Sequence, residues 1–428
     1  MRLIENPARA TWNDLIRRDV SNDETLSARV AAIVEQVRQE GDRALLQFAG
    51  EIDGWENPYL PVPEATIAAA AGKIPSSLRK ALDTAADNIR RFHEAQRPAG
   101  VDIETMPGVR CVQRSIPIRR VGLYIPGGTA PLFSTVLMLA LPAQVAGCSE
   151  IILCTPPSPT GAVAAEILYA ASLCGVSRIF LSGGAQAIAA MAYGTETIPR
   201  VDKIFGPGNR YVTKAKQLVS MSQVAIDMPA GPSEVMVLAD DSADAGFVAA
   251  DMLSQAEHGN DSQAMVVVHS PDLAGAIVRC LDEQLETLSR KAFAEKALLN
   301  SKIIVFSEKQ AMIDFANAYA AEHLIISMRE PWKIAGQITA AGSVFIGNYS
   351  PESAGDYASG TNHTLPTSGW ARAYSGVHLD SFLKKITYQE LTPQGLNRLG
   401  DTIITMAEAE GLDAHAQAVK IRLKTLQS

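Results

Sequence analysis

At roughly 150 residues per domain, a chain of 428 residues has room for two or three domains, which excludes a peptide, a small disulfide scaffold and a lone binding module. Hydrophobic residues make up 47% and charged residues 20%, so the chain can bury a sizeable core and is not wholly disordered. Lys and Arg number 38 against 46 Asp and Glu, a net charge of -8, which gives no broad basic footprint for nucleic acid and favours a small-molecule partner.

The opening residues MRLIENPARATWNDLIRRD scatter charge among apolar positions and lack the apolar core of a secretory signal, so a cytoplasmic protein is expected. Leu26, Val30, Ile33, Val34 and Val37 then recur at helical spacing behind Ser21-Asn22-Asp23-Glu24 and stop at Gly41. The first hundred residues read as mostly helical. From Val121 the texture changes to short β-branched runs: VGLYI at 121, IILC at 151, RIFLS at 178 and DKIF at 202. The turn cluster Pro156 to Thr160 and the Ala-rich stretch Ala162 to Leu173 suit strand, crossover helix, strand, and hence a parallel sheet.

Between these runs, Val136 to Cys148 is apolar but interrupted by Pro142 and Gln144, short of the ~20 residues a membrane span needs. Further strand runs, EVMVLA at 234, AMVVV at 264, KIIVF at 302 and SVFI at 343, alternate with helical segments such as Phe247 to Ala256. They predict a second α/β unit. After about Ser375 the chain reads as helical and more charged, through Leu383 to Gln389 and Thr402 to Glu410, as a C-terminal appendage. Cys111, Cys148, Cys154, Cys174 and Cys280 form an odd set without C-x-x-C, as reduced core thiols do.

Three glycine clusters, Gly127-Gly128, Gly183-Gly184 and Gly206-Pro207-Gly208-Asn209, each fall between a predicted strand and a predicted helix. Small residues there let backbone N–H groups approach an anion at a helix N-terminus. A nucleotide or phosphate is one reading and a set of tight turns the other, since neither G-x-G-x-x-G nor a P-loop pattern occurs.

Polar residues gather downstream. Asp251, Gln255 and His258 are spaced i, i+4, i+7 on one helical face, which suits metal ligation, with Asp251 as a ligand or only a cap. Glu322 and His323 are adjacent and reach one site only where a strand is irregular. The segment SPESAGDYASGTNH, Ser350 to His363, reads as a functional loop with Asp356 and His363 as candidate ligands. Glu410 and His415 read as surface residues of a helical tail. From composition and spacing alone the reading stops at an α/β enzyme, hydrolase or dehydrogenase.

VGLYIPGGTAPLFSTVLMLALPAQVAGC, GGAQAIAA, KIFGPGN, DMPAGPSEV, QAEHG, EHL, SPESAGDYASGTNH and AEAEGLDAH, in this order between about Val121 and Val419, resemble the histidinol dehydrogenase family. The resemblance implies a zinc- and NAD-dependent four-electron oxidation of L-histidinol to L-histidine through the aldehyde. It implies two Rossmann-like parallel-sheet units that lack the usual dinucleotide fingerprint, flanked by small helical appendages. Gln255, His258, Asp356 and His415 would hold one Zn2+ per subunit, His415 coming from the second chain of a homodimer. Glu322 and His323 would be the catalytic pair, and Tyr124, Gln186 and Asn209 would contact NAD. Ser233, Gln255, His258, His323, Asp356, His363, Glu410 and His415 would meet the substrate.

The implied domains are a helical arm at 1–19, a first α/β domain of 20–122 with 235–376, an NAD-binding α/β domain at 123–234, and a dimerisation segment at 377–428. Asn260 and Ser368-Gly369-Trp370 depart from the family's common Pro and Tyr-Gly-Tyr; the second, just after the substrate loop, bears on substrate preference more than on reaction type. The competing expectations are a paralogous zinc and NAD dehydrogenase of another small hydroxyl compound, a zinc hydrolase, and a silent metal-binding scaffold.

Overall fold

The computed structural model describes residues 1–18, 24–55, 60–127, 131–158, 161–228 and 231–427. The helix start at Ser21 to Asp23, the turn residues Pro159 and Thr160, and Gly128 lie outside them. Two compact units divide the chain, Met1–Gln96 with Ile118–Phe382, and Arg97–Pro117 with Leu383–Ser428.

The chain opens with β1 (Arg2–Glu5) and α1 (Trp12–Leu15), continues through α2 (Glu24–Glu40), α3 (Asp42–Asp53), α4 (Glu64–Ala68) and α5 (Ser76–Glu94), and then forms β2 (Val101–Met106) and β3 (Val109–Pro117). A first α/β series follows: β4 (Arg120–Tyr124), α6 (Phe133–Ala146), β5 (Glu150–Thr155), α7 (Ala165–Leu173), β6 (Arg178–Leu181), α8 (Gly184–Tyr193), β7 (Lys203–Phe205), α9 (Arg210–Ser220) and β8 (Ala225–Ile226). The second series runs β9 (Glu234–Ala239), α10 (Ala245–Ala256), β10 (Gln263–Val268), α11 (Pro271–Leu285), α12 (Lys291–Asn300), β11 (Lys302–Val305), α13 (Lys309–Tyr319), β12 (His323–Ser327), α14 (Pro331–Ala335), β13 (Ser343–Ile346) and α15 (Glu352–Tyr357). The chain finishes with β14 (Leu383–Leu391), α16 (Pro393–Ala409) and α17 (Asp413–Gln427).

The first unit holds two parallel sheets. One has the order β6-β5-β4-β7-β8, the other β1-β11-β10-β9-β12-β13. Each is doubly wound, with the first strand of its series at the centre and the order reversing beside it, as in Rossmann-like folds. The expected α/β class with two such units is what the chain forms.

Alternate residues of β9 explain the layering. Val235, Val237 and Ala239 enter a core with α10, α11 and α12, while Met236 and Leu238 enter one with α13 and Trp12. Both faces are covered, so the strands read as continuous apolar runs. Helix α6 is apolar all round and almost entirely buried, which is how a core helix differs from an amphipathic surface one. No described helix is long and apolar enough to cross a membrane.

Three expectations need correcting. The N-terminal arm is not wholly helical, because Arg2–Glu5 adds a parallel edge strand to β11. Leu383 to Gln389 is strand, not helix: β14 pairs antiparallel with β3 along its whole length, using the β-branched and aromatic residues Ile386, Thr387 and Tyr388. Residues 101–117, expected in the first α/β domain, belong to the second unit, where β3 pairs with that C-terminal strand and β2 with β3. All five cysteines are free, and burial pushes Cys148, Cys154 and Cys174 up to about 12.

One buried pair ties the N-terminal segment to β9. The Arg18 guanidinium donates two bonds to the Glu234 carboxylate, at 2.8 and 2.9 Å, and a third to the Tyr319 carbonyl at 2.9 Å, with its carbon 3.7 Å from the Tyr319 ring centroid. Glu234 is 1% exposed, so an unpaired charge there has no water to turn to. Arg18→Met should therefore cost about 3–5 kcal/mol in urea unfolding; a loss below about 1 kcal/mol would contradict this account of the pair.

Candidate active site

The first unit carries two sets of polar side chains, one at the amino ends of the six-stranded sheet and one at the carboxyl ends of the five-stranded sheet. Helix α13 stops at Ala320, whose φ of 54° breaks the helical path. Two residues later Glu322 sits just outside β12 and His323 is its first residue. This strand mouth is the irregularity that lets two adjacent side chains approach one another, with Glu322 Oε2 3.7 Å from His323 Nδ1. Glu322 is held by the Glu234 backbone N–H, which donates to Oε2 at 2.9 Å. The Arg18-bound end of β9 thus positions this carboxylate. Ser233, half-buried, lies immediately before it.

Helix α15 brings two further carboxylates. Ser350 to His363 is not all loop: residues 352–357 are helical, so Glu352 and Asp356 at i, i+4 share a face. Glu352 Oε1 is 3.7 Å from His323 Nδ1 and Asp356 Oδ1 is 3.3 Å from His323 Nε2. One ligand atom each from His258, Glu352 and Asp356 lie within 4.8 Å of one another. Sequence reading missed Glu352, although its i, i+4 relation to Asp356 was the available signal.

The electrostatics follow from burial. Desolvation raises Glu322 and Glu352 to about 8, with His323 pulling against it. Burial alone would lower His323, but attraction to Glu352, Glu322 and Asp356 outweighs it and lifts the imidazole to about 10. For Asp356 desolvation is overcome by the close approach and charge of the His323 imidazole, so its carboxyl lies below the usual range. Desolvation lowers His258, which opens to solvent on one side.

Gln255 and His258 lie at the end of α10, where the helix stops at Ala256, so the expected i+7 continuation to His258 is replaced by a turn in which the His258 N–H donates to the Gln255 carbonyl at 3.3 Å. The Gln255 side chain is fully buried, and among the described residues neither its oxygen nor its nitrogen has a hydrogen-bond partner. Both Glu352 oxygens and Asp356 Oδ1 are in the same condition. Unmet acceptors this deeply buried ask for a partner, and a carboxamide oxygen with carboxylates and an imidazole is a donor set a divalent cation accepts. Asp251 does not join them. Its carboxylate takes the Glu352 backbone N–H, and burial raises it to about 7.

His363 is fixed from both sides. Nδ1 faces the Asp356 carbonyl at 2.9 Å and so carries the proton, leaving Nε2 for the Thr135 hydroxyl at 3.3 Å. Its neighbour Asn362 donates to the Met138 carbonyl. That carbonyl is free because Pro142, four residues on, has no N–H to offer it. The proline that interrupts the apolar stretch therefore anchors the loop to α6. Glu410 and His415 belong to the second unit, where both are exposed at the α16–α17 turn.

The second set surrounds a cavity of about 790 Å³ whose wall includes Arg29, Asp53, Tyr124, Gly184, Gln186 and Asn209. Tyr124 ends β4, and its hydroxyl accepts the Gly184 N–H at 3.0 Å. Gln186 is buried in the first turn of α8, and Asn209 caps α9 by accepting the N–H groups of Tyr211 and Val212 at 3.0 and 3.2 Å. Gly206 approaches the Tyr124 carbonyl so closely, at φ 129°, that a side chain there would collide with it. Lys216 and Asp227 hold this glycine by its carbonyl and its N–H.

The sequence model of the family described as histidinol dehydrogenase matches residues 16–423. A histidinol dehydrogenase of Bacteroides fragilis is 56% identical over 427 residues, 100% of each chain. One of Vibrio cholerae is 51% identical over 415 residues, 96% of this chain and 95% of its own. The crystal structure of histidinol dehydrogenase from Elizabethkingia anophelis matches 100% of this chain and 99% of its own, with a TM-score of 0.98 at 50% identity.

The orphaned acceptors generate a prediction that needs no turnover. Zn2+ titrated into the metal-free chain should bind, and Asp356→Ala should weaken it at least tenfold, the low end of the roughly 10–100-fold that loss of even an outer-shell partner costs; equal affinity in the variant would contradict a cation at this cluster.

Proposed function

Because the chain belongs to the histidinol dehydrogenase family, an oxidoreductase family, we propose that it oxidises L-histidinol to L-histidine through the aldehyde in the last steps of histidine biosynthesis, reducing two NAD per substrate in a zinc-dependent homodimer. The observation that carries this reading is the buried pair Glu322 and His323, 3.7 Å apart beside a set of unsatisfied metal-compatible acceptors.

In the first oxidation His323 takes the hydroxyl proton of the alcohol while the carbinol carbon gives up hydride to NAD, leaving the aldehyde. In the second, Glu322 takes a proton from water as the water oxygen bonds to the aldehyde carbon, and loss of a second hydride from that carbon leaves the carboxylic acid. A carboxylate raised to about 8 by burial is a stronger base than one in water. The Glu234 N–H keeps one Glu322 oxygen engaged and so fixes the direction of the other.

Gln255, His258, Asp356 and the partner subunit's His415 would hold the zinc, which when bound would anchor the substrate's amino and imidazole nitrogens and engage carboxylates that otherwise keep a proton on His323. Ser233, His363 and Glu410 would complete the substrate's surroundings, and Tyr124, Gln186 and Asn209 would contact NAD. The cavity volume, about 790 Å³, is of the size a cofactor needs. The exposure of Glu410 and His415 at a helical turn is consistent with their serving a second chain. Free cysteines throughout support a cytoplasmic setting.

Purified protein given excess NAD and limiting L-histidinol should form two equivalents of reduced NAD per substrate, with activity lost on chelation and restored by zinc. His323→Ala should slow the first oxidation most and Glu322→Ala the aldehyde-to-acid step, each by about 100-fold or more. No reduction by folded, zinc-loaded protein would move the assignment to a dehydrogenase of another hydroxyl compound, and equal losses of both steps in the two variants would contradict the division of labour.

A further inference from the structure

The cavity at the carboxyl ends of the five-stranded sheet contains one feature that the proposed NAD contacts leave unused. Among the described residues lining it, Asp53 is the one carboxylate and Arg29 the one cation. Asp53 closes α3, and its Oδ2 is buried with no hydrogen-bond partner among the described residues. Desolvation raises this carboxyl to about 6, which still leaves it mostly ionised at neutral pH. A half-buried carboxylate whose Oδ2 is buried and unpartnered among the described residues, on the wall of a cavity large enough for a dinucleotide, points to a ligand group that donates hydrogen bonds.

The fold indicates which group. Right-handed crossovers place α6 and α7 on one face of this sheet and α8 and α9 on the other. Helix α6 is the one joined to the catalytic loop, through Thr135 and His363. Helices α2 and α3 pack instead with α8, so Arg29 and Asp53 enter the cavity from the face opposite the catalytic loop. A dinucleotide whose reacting half lies toward α6 presents its other half, the adenosine, to α2 and α3.

We propose that Asp53 accepts hydrogen bonds from the hydroxyls of the adenosine ribose and thereby selects NAD over NADP. A carboxylate meets a 2′-hydroxyl as acceptor to donor, whereas a 2′-phosphate brings a second anion to the same place. Arg29, on the same wall, is the group that would favour the phosphate once the carboxylate is gone. This inference rests on the reading of the cavity as the NAD site.

The test is direct binding of NAD and of NADP to zinc-loaded protein by calorimetry, for the wild type, Asp53→Ser and Asp53→Asn, with circular dichroism to establish folding. The wild type should bind NAD at least 100-fold more tightly than NADP, and Asp53→Ser should narrow that ratio at least tenfold by weakening NAD and strengthening NADP. Asp53→Asn, nearly isosteric and the safer variant for folding, should narrow it by at least threefold. An unchanged ratio in the folded variants, or equal weakening of both nucleotides, would overturn the selection role while leaving the NAD reading intact. Failure of the wild type to bind NAD at all would overturn that reading and this inference with it.

Discussion

Three buried carboxylates converge on a single buried imidazole, and the rest of the site is arranged around that concentration of negative charge. Glu322, Glu352 and Asp356 all approach His323 within 3.7 Å, yet neither histidine nitrogen forms a well-aligned hydrogen bond. Groups buried this deeply remain charged only if something positive shares the space. In the chain alone a proton on His323 serves that purpose. A cation at the neighbouring acceptors would serve it better, because it would satisfy Gln255, His258 and Asp356 together and release the imidazole for proton transfer. Under the proposed function, affinity for metal and basicity of His323 would be two consequences of one charge imbalance.

The fold places the charge cluster and the cavity at opposite ends of the strands in two sheets. Ligands in open α/β sheets ordinarily lie beyond the carboxyl ends of the strands, and the cavity bounded by Tyr124, Gln186 and Asn209 obeys that rule. Glu322, His323 and Ser233 do not, since they gather at the amino ends of β9 and β12. Two small devices brace the chemistry from a distance. Arg18, through Glu234, fixes the strand end that orients Glu322, and the carbonyl that Pro142 leaves free on α6 receives Asn362 beside His363.

Much of this was legible in the sequence, for identifiable reasons. Strands covered on both faces appear as runs such as EVMVLA and AMVVV, and turns as glycine clusters, because those signals are local. Strands β2, β3 and β14 carry mixed polar and apolar residues, and β14 reads as helix because its partner is more than 260 residues away in sequence. Within the site, the chemically distinctive Gln255, His258, Asp356 and His363 were nominated from the sequence. Glu352 was passed over because a stretch rich in Ser, Gly and Asp conceals a helix of six residues. Arg18 and Asp53 carried no local signal at all, since the one matters through a pair 216 residues distant and the other through a cavity built by helices and strand ends far apart in the chain.

The proposed function requires the carboxylate cluster to be a cation site. Crystals grown with Zn2+ and L-histidinol, measured on both sides of the zinc absorption edge, test it most directly. An anomalous peak within about 2.0–2.2 Å of ligand atoms from Gln255, His258 and Asp356 is the predicted result. A peak elsewhere, with these side chains still unpartnered, would contradict it.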